Sequence, residues 1–196
     1  MEPWRRYRIT ATFRVPRSFA FRWCTDYQPD DGRYGGEDRS IGLQRRILRR
    51  DRHRVVFENL YNIGRGWGWE RHVVTLHPPD RWHSEGVGNY QQSILDYELV
   101  ELPDGRTGFV MRWRSRPIGR SIGPSPSRSS IERYVARLWH DRAQAMERDF
   151  RTWRRSGRSP APVLRPRREA PNRGRTLPRL PSEDSLAASA DRRRET

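Results

Sequence analysis

Residues 129–157 read SSIERYVARLWHDRAQAMERDFRTWRRSG. Ile131, Tyr134, Val135, Leu138, Trp139, Met146, Phe150 and Trp153 recur at steps of three and four, which places them on one stripe of a helix. Ser129 stands three residues ahead of Glu132, a capping-box spacing, and Gly157 followed by Pro160 closes the far end. The expected helix has roughly 24 residues, well above the usual length. An apolar stripe of that length has to be covered by another layer.

The layer it needs is written upstream. Tyr7, Ile9, Ala11, Phe13 and Val15 alternate with Arg6, Arg8, Thr10, Thr12 and Arg14, the period of a strand with one buried face. Pro16 opens a short helix of about ten residues carrying Phe19, Phe21, Trp23 and Cys24. Residues 26–38, DYQPDDGRYGGED, are loop. Six further strand-like stretches follow at 39–49, 54–63, 66–77, 82–90, 91–102 and 106–115, each closed by a turn signal such as Pro78-Pro79-Asp80 or Pro103-Asp104-Gly105. Short turns between successive strands predict an antiparallel meander. A seven-stranded antiparallel sheet twists, curls and covers its dry face with the terminal helix, an α+β arrangement.

Composition divides the chain near residue 155. Every aromatic residue lies at or before Trp153, whereas 156–196 is rich in Pro, Arg and Ser. Without aromatics such a segment cannot bury enough surface to offset an ordering entropy of roughly 1–2 kcal/mol per residue. The expected organisation is a folded domain at 1–155 and a disordered tail at 156–196. The formal charge is +16, and all 40 basic residues are arginine. Absence of lysine points to a coding bias, which weakens any inference from charge to nucleic acid. No apolar run approaches the length of a membrane span, and the N-terminus lacks the apolar stretch of a signal peptide. With Cys24 alone no intramolecular disulfide forms, and a cytoplasmic location is expected.

Three stretches resemble the superfamily of START, Bet v 1 and polyketide cyclase/dehydrase domains (SRPBCC), the helix-grip fold. ITATFRVPRSFAFRWCTDYQP at 9–29 is similar to its first strand and proline-led helix. LVELPDGRTGFVMRWRSRP at 99–117 is similar to its turn into the last strand, and ARLWHDRAQAMERDFRTW at 136–153 to its terminal helix. The second short helix usual in that superfamily has no pattern in 26–38, and the tail lies outside the resemblance. The resemblance implies a helix-grip domain with a seven-stranded curved antiparallel sheet round a long C-terminal helix. It also implies a cavity between sheet and helix that takes an apolar small molecule or lipid. Among such domains are carriers, receptors and cyclases, and no shared catalytic motif transfers position by position.

Candidate cavity residues are the strand and helix aromatics Trp67, Trp69, Trp82, Tyr90, Tyr97, Trp113 and Trp139, together with Arg142. Trp and Tyr combine large apolar area with one polar handle, suited to flat or amphipathic ligands, although each could equally fill the core. Arg142 falls on the apolar stripe, so its guanidinium needs a partner. That partner is an anionic ligand head group, or a sheet acid such as Asp96 or Glu98, or water at the helix edge. An enzyme on this scaffold would need an acid or base inside, and Tyr61, Glu70, His72, His83, Glu85 and Asp96 lie on expected strands.

Other chemistries lack support. His53, His72, His77, His83 and His140 make no metal signature, Cys24 is expected to be a buried inert thiol, and no nucleophile elbow is present. Gly64-Arg65-Gly66-Trp67-Gly68 reads as a hairpin turn or bulge, and Asp30, Asp31, Glu37 and Asp38 fit no calcium loop. No cofactor is expected. The first expectation is a binder or carrier of a hydrophobic molecule without chemistry of its own, and the second a cyclase or aromatase. A third is an adaptor whose Arg165-Pro166-Arg167-Arg168 and Arg192-Arg193-Arg194 clusters dock to nucleic acid or to anionic membrane.

Overall fold

The computed structural model describes residues 3–29, 43–62, 67–118 and 127–156. The expected tail, the acidic loop with its missing second helix, and the turn at Gly64–Gly66 lie outside the described residues. Strand β1 (Arg5–Phe13) leads into helix α1 (Arg17–Thr25). Strands β2 (Gln44–Arg50), β3 (Arg54–Asn62), β4 (Trp67–His77), β5 (Arg81–Gly88), β6 (Gln91–Glu101) and β7 (Thr107–Pro117) follow, and helix α2 (Arg128–Arg155) ends the series. All seven strands belong to one antiparallel sheet in the order β1-β7-β6-β5-β4-β3-β2. The meander is as expected, with β1 added beyond β7.

Alternation explains the packing. Tyr7, Ile9 and Phe13 of β1 are buried while Arg6, Arg8, Thr10 and Thr12 are exposed. Across the strand pair, Ile9 stands opposite Met111 and Ala11 opposite Phe109, so both strands turn one apolar row toward α2. Phe13, Val15, Val74, Leu99, Phe109 and Met146 lose almost all solvent contact. The indole of Trp139 sits 4.1 Å from the Phe109 ring and 6.2 Å from Phe13. Helix α1 closes one side, with Phe19 against Phe150 at 4.9 Å and the Trp23 indole N–H donating to Asp149 at 3.0 Å.

Helix α2 starts two residues earlier than the capping box suggests. Ser127, in extended backbone at φ −63° and ψ 153°, accepts from the Ser130 amide at 3.2 Å. Glu132 does not reach back to Ser129 but takes the Arg128 guanidinium at 2.9 Å. Serines at 127, 129 and 130 all offer a cap, and the one whose backbone is extended serves. The helix then runs 28 residues, and it comes nearest the sheet along β1. Over β3 to β6 the space beneath it is left to side chains. No helix among the described residues is long and apolar enough to cross a membrane.

On the outer face the sheet is tied by arginine–carboxylate pairs. Arg46, Glu58 and Arg71 stand in register on β2, β3 and β4. Glu58 is 2% exposed and accepts from both Nε and Nη2 of each arginine, at 3.1 and 2.5 Å from Arg46 and 3.1 and 2.7 Å from Arg71. This matters below.

Candidate functional site: a cavity under the terminal helix

Between α2 and the inner faces of β3 to β6 lies a cavity of about 340 Å³. Its helix wall is Tyr134, Leu138, Trp139 and Arg142, one turn apart on the stripe read from the sequence. Its floor is the inward row of the sheet: Phe57, Asn59 and Tyr61 of β3, Glu70 and His72 of β4, Trp82 and Ser84 of β5, Gln91 and Tyr97 of β6. The rim is made by Trp23, Cys24 and Tyr27 at the end of α1 and by Leu43 and Arg45 at the start of β2. Trp82 lies flat on Tyr97, ring centroids 4.7 Å apart and 9° from parallel, which makes one aromatic wall.

The opposite part of the floor is polar and fully connected. His72 Nε2 meets a Glu70 oxygen at 3.2 Å and His72 Nδ1 meets the Ser84 hydroxyl at 3.2 Å. Gln91 donates to the other Glu70 oxygen at 2.6 Å, and the Tyr61 hydroxyl donates to the same carboxylate. Glu70 and His72 are two residues apart on one strand, hence on one face. Phe57 supports the imidazole from below, 5.0 Å away and 18° from parallel. With Glu70 ionised, Nε2 carries a proton toward it, and Nδ1 accepts from Ser84 or donates to it according to the charge of the ring.

Burial pushes the Glu70 carboxyl up, but His72, Gln91 and Tyr61 outweigh it and hold the group below the ordinary carboxylate value of 4.5. Burial and the neighbouring Glu70 charge push the Tyr61 hydroxyl up, so it stays a phenol and a donor. Burial also raises Tyr97, while Arg142 and Arg45 pull it back. Two glycines make room. A Cβ on Gly68 would sit 2.2 Å from the Tyr61 ring, and one on Gly86 would sit 2.4 Å from Ser93 Oγ and 2.7 Å from His72 Cε1. Gly86→Ala is therefore expected to lower stability by about 1–3 kcal/mol and to shift the His72 ring resonances, as measured by denaturant unfolding and NMR.

The two cations on the wall are carried by aromatic faces. Arg45 lies 4.3 Å from the Phe57 centroid and donates to Asn59 Oδ1 at 3.0 Å; Arg142 lies 5.1 Å from Trp139. The sheet acids considered for Arg142 are elsewhere. Asp96 bonds His83 at 2.7 Å, and Glu98 pairs with Arg112 at 3.1 Å and Arg81 at 3.4 Å, all on the outer face. Alternation decides this, because Tyr97 takes the inward place between them.

Of the candidate aromatics, the structure brings Trp82, Tyr97 and Trp139 together at the cavity. Trp67 and Trp69 project from the other face of β4, Trp69 beside Arg71. Tyr90 lies in the β5–β6 turn, and Trp113 packs on Tyr7 at 4.7 Å, away from the lining. Of the acid–base pool, Tyr61, Glu70 and His72 face in, whereas His83, Glu85 and Asp96 face out. Phe57, Asn59, Ser84, Gln91 and Arg45 were not singled out by sequence. Their signal is register alone, which a single chain does not reveal. Cys24 is half-buried on the rim. Among the described residues no group of three or more His, Cys, Asp or Glu is placed to hold a metal ion.

By sequence, no protein-family model and no curated protein matches the chain. By structure, the Zhui aromatase/cyclase from Streptomyces sp. R1128 superposes with a TM-score of 0.57 at 12% identity, over 79% of this chain and 99% of that one. Ara h 8.0201 gives 0.53 at 12% identity over 76% and 99%. A START superfamily protein from Mycobacterium smegmatis gives 0.52 at 12% identity over 76% and 98%. At such identities the likeness is one of fold. A long helix gripped by a seven-stranded antiparallel sheet, matched along nearly the whole length of these proteins, gives the chain the helix-grip fold.

Proposed function

We propose that the protein binds a compact aromatic or amphipathic small molecule in the cavity under α2. The single observation that carries this reading is the two-sided lining: the Trp82–Tyr97–Trp139 wall faces the bonded set Glu70, His72, Ser84, Gln91 and Tyr61. Desolvation of an apolar ring on the first side supplies affinity, and one or two hydrogen bonds on the second fix its orientation. A volume of about 340 Å³ is at the low end of the range of roughly 300–1,000 Å³ for small-molecule sites. That size favours a one- or two-ring ligand over a long-chain lipid. The test is thermal unfolding with 2-naphthylmethanol as probe. Saturable stabilisation is expected, about 2.7 kcal/mol at 100 times Kd, and it should vanish in Leu138→Trp, which fills the cavity. A melting temperature indifferent to the probe contradicts the reading.

A second reading, catalysis on the bound molecule, is favoured by the Glu70–His72 pair. A buried carboxylate bonded to an imidazole is a proton acceptor with its partner already oriented, the arrangement general acid–base chemistry needs. The corresponding experiment is deuterium incorporation from D2O next to the carbonyl of 2-tetralone, followed by NMR. Exchange faster than buffer, lost in His72→Leu and Glu70→Gln, supports turnover; exchange at the buffer rate leaves binding alone.

A further inference from the structure

The polar floor contains a chain of partners that binding alone does not require. Glu70, His72 and Ser84 are linked end to end. A Glu70 oxygen lies 3.2 Å from His72 Nε2, and the Ser84 hydroxyl lies 3.2 Å from Nδ1 on the other side of the ring. All three line the cavity. Alternation puts Glu70 and His72 on the inner face of β4, and Ser84 holds an inward place on the neighbouring β5. Phe57, 5.0 Å from the imidazole and 18° from parallel, supports the ring between its two partners.

The charge state of Glu70 gives this chain a direction. Burial alone would raise its carboxyl, but the bonds from His72, Gln91 and Tyr61 outweigh it and keep an anion at neutral pH. An ionised Glu70 draws the proton of the neutral imidazole to Nε2, which leaves the Nδ1 lone pair for the Ser84 hydroxyl. That hydroxyl makes no other hydrogen bond among the described residues, so it donates to Nδ1. A hydroxyl, a base within reach and an acid that orients the base activate a serine nucleophile, whatever the fold or the order in the chain. The two ring nitrogens are exchanged relative to the usual relay, and the proton path is the same.

Attack by a serine on a carbonyl also needs a donor for the oxyanion. Leu95 stands opposite Ser84 across the β5–β6 pair, and Tyr97 is two places further on the same face, a diagonal neighbour within reach of a long side chain. The Tyr97 hydroxyl lines the cavity and makes no hydrogen bond among the described residues. Burial, outweighing Arg142 and Arg45, keeps it a phenol and hence a donor.

We propose that Ser84 is a nucleophile and that the protein hydrolyses compact aromatic esters in this cavity, with His72 as base, Glu70 as its positioning residue and Tyr97 as donor to the oxyanion. The proposal rests on the cavity-binding reading above and shares His72 with the second reading. Ser84 Oγ bonds to the ester carbon while its proton passes to His72 Nδ1. The bond from that carbon to the leaving oxygen then breaks, and the leaving group takes the proton and departs as an alcohol or phenol. Water attacks the acyl-serine and gives a proton to Nδ1. Ser84 Oγ recovers that proton as the carboxylic acid leaves.

The whole protein at neutral pH is tested with two probes. Hydrolysis of 2-naphthyl acetate is followed by the fluorescence of released 2-naphthol. The second probe, 2-naphthalenesulfonyl fluoride, transfers its sulfonyl group to an activated serine and loses fluoride. Release above the buffer rate is expected, with the sulfonyl group on Ser84 by peptide mass spectrometry. Ser84→Ala should lower release at least about hundredfold. The label on the native chain decides the point even should that variant fold poorly. Release at the buffer rate overturns the proposal, while stabilisation by 2-naphthylmethanol keeps the cavity-binding reading standing. Failure of the alcohol as well overturns both. Release that survives Ser84→Ala, or a label absent from Ser84, overturns the assignment to this serine.

Discussion

Replacement of His72 by leucine is expected to lower folding stability by about 3–5 kcal/mol at neutral pH, the cost of leaving a buried charge without its partner. Glu70 is 7% exposed, and in the variant its carboxylate keeps only Gln91 and Tyr61. The dependence on pH should also change sign. In the native protein the folded Glu70 value lies below the ordinary one. Its contribution is therefore fully present above the unfolded value near 4.5 and is lost as pH falls through the lower folded value. Without His72 the burial effect is opposed only by two neutral donors, and the folded value moves up. The unfolded chain then ionises first as pH rises, so the variant loses stability between acid and neutral pH where the native protein does not. Glu70→Gln added to His72→Leu should remove that slope. Urea unfolding across the acid range measures all three; a variant slope like that of the native protein would mean that the pair is not buried as described.

The second large effect is expected on the outer face and is asymmetric. Arg71→Met should cost about 3 kcal/mol, because buried Glu58 then keeps Arg46 as its one cation among the described residues. Glu58→Met removes the bonds to both arginines, twice as many, yet should cost only about 1 kcal/mol, since Arg46 and Arg71 have side chains 53% and 33% exposed and can take up water. By contrast Arg112→Met, which breaks a pair with Glu98 at 3.1 Å on a half-exposed side chain, should cost under about 1 kcal/mol. Denaturant midpoints order the three. A cost for Glu58→Met at or above that for Arg71→Met would show that loss of contacts, and not desolvation of the carboxylate, governs this triad.

Element order and the face of α2 were legible in the chain because both rest on strong periodicities. The stripe through Val135, Leu138, Trp139 and Met146 is interrupted only by Arg142, and that interruption marks the cavity wall. Strand β1 was equally plain, with arginine or threonine at every second place. Strand β4 was not. In WGWERHVV the heavy set Trp67, Trp69 competes with Gly68, Glu70, His72 for the inner face, and hydrophobicity favours the tryptophans. The inner face goes to the polar set for two local reasons. Gly68 must lie under the Tyr61 ring, where a Cβ would come within 2.2 Å, and Glu70 and His72 find bonded partners on β3, β5 and β6 that no reading of β4 alone contains. The same limit hid Ser84, Gln91 and Arg45. Their role depends on which strand stands beside which, and pairing is a property of the sheet.

The eight tryptophans supply the most direct test, since their indole N–H resonances report separately on the interior and the outer face of the sheet. In a 1H–15N titration with 2-naphthylmethanol, the Trp82 and Trp139 resonances should shift saturably while Trp67 and Trp69 stay in place. Shifts confined to Trp67 and Trp69, or no shift at any indole, would mean that no aromatic molecule enters beneath α2.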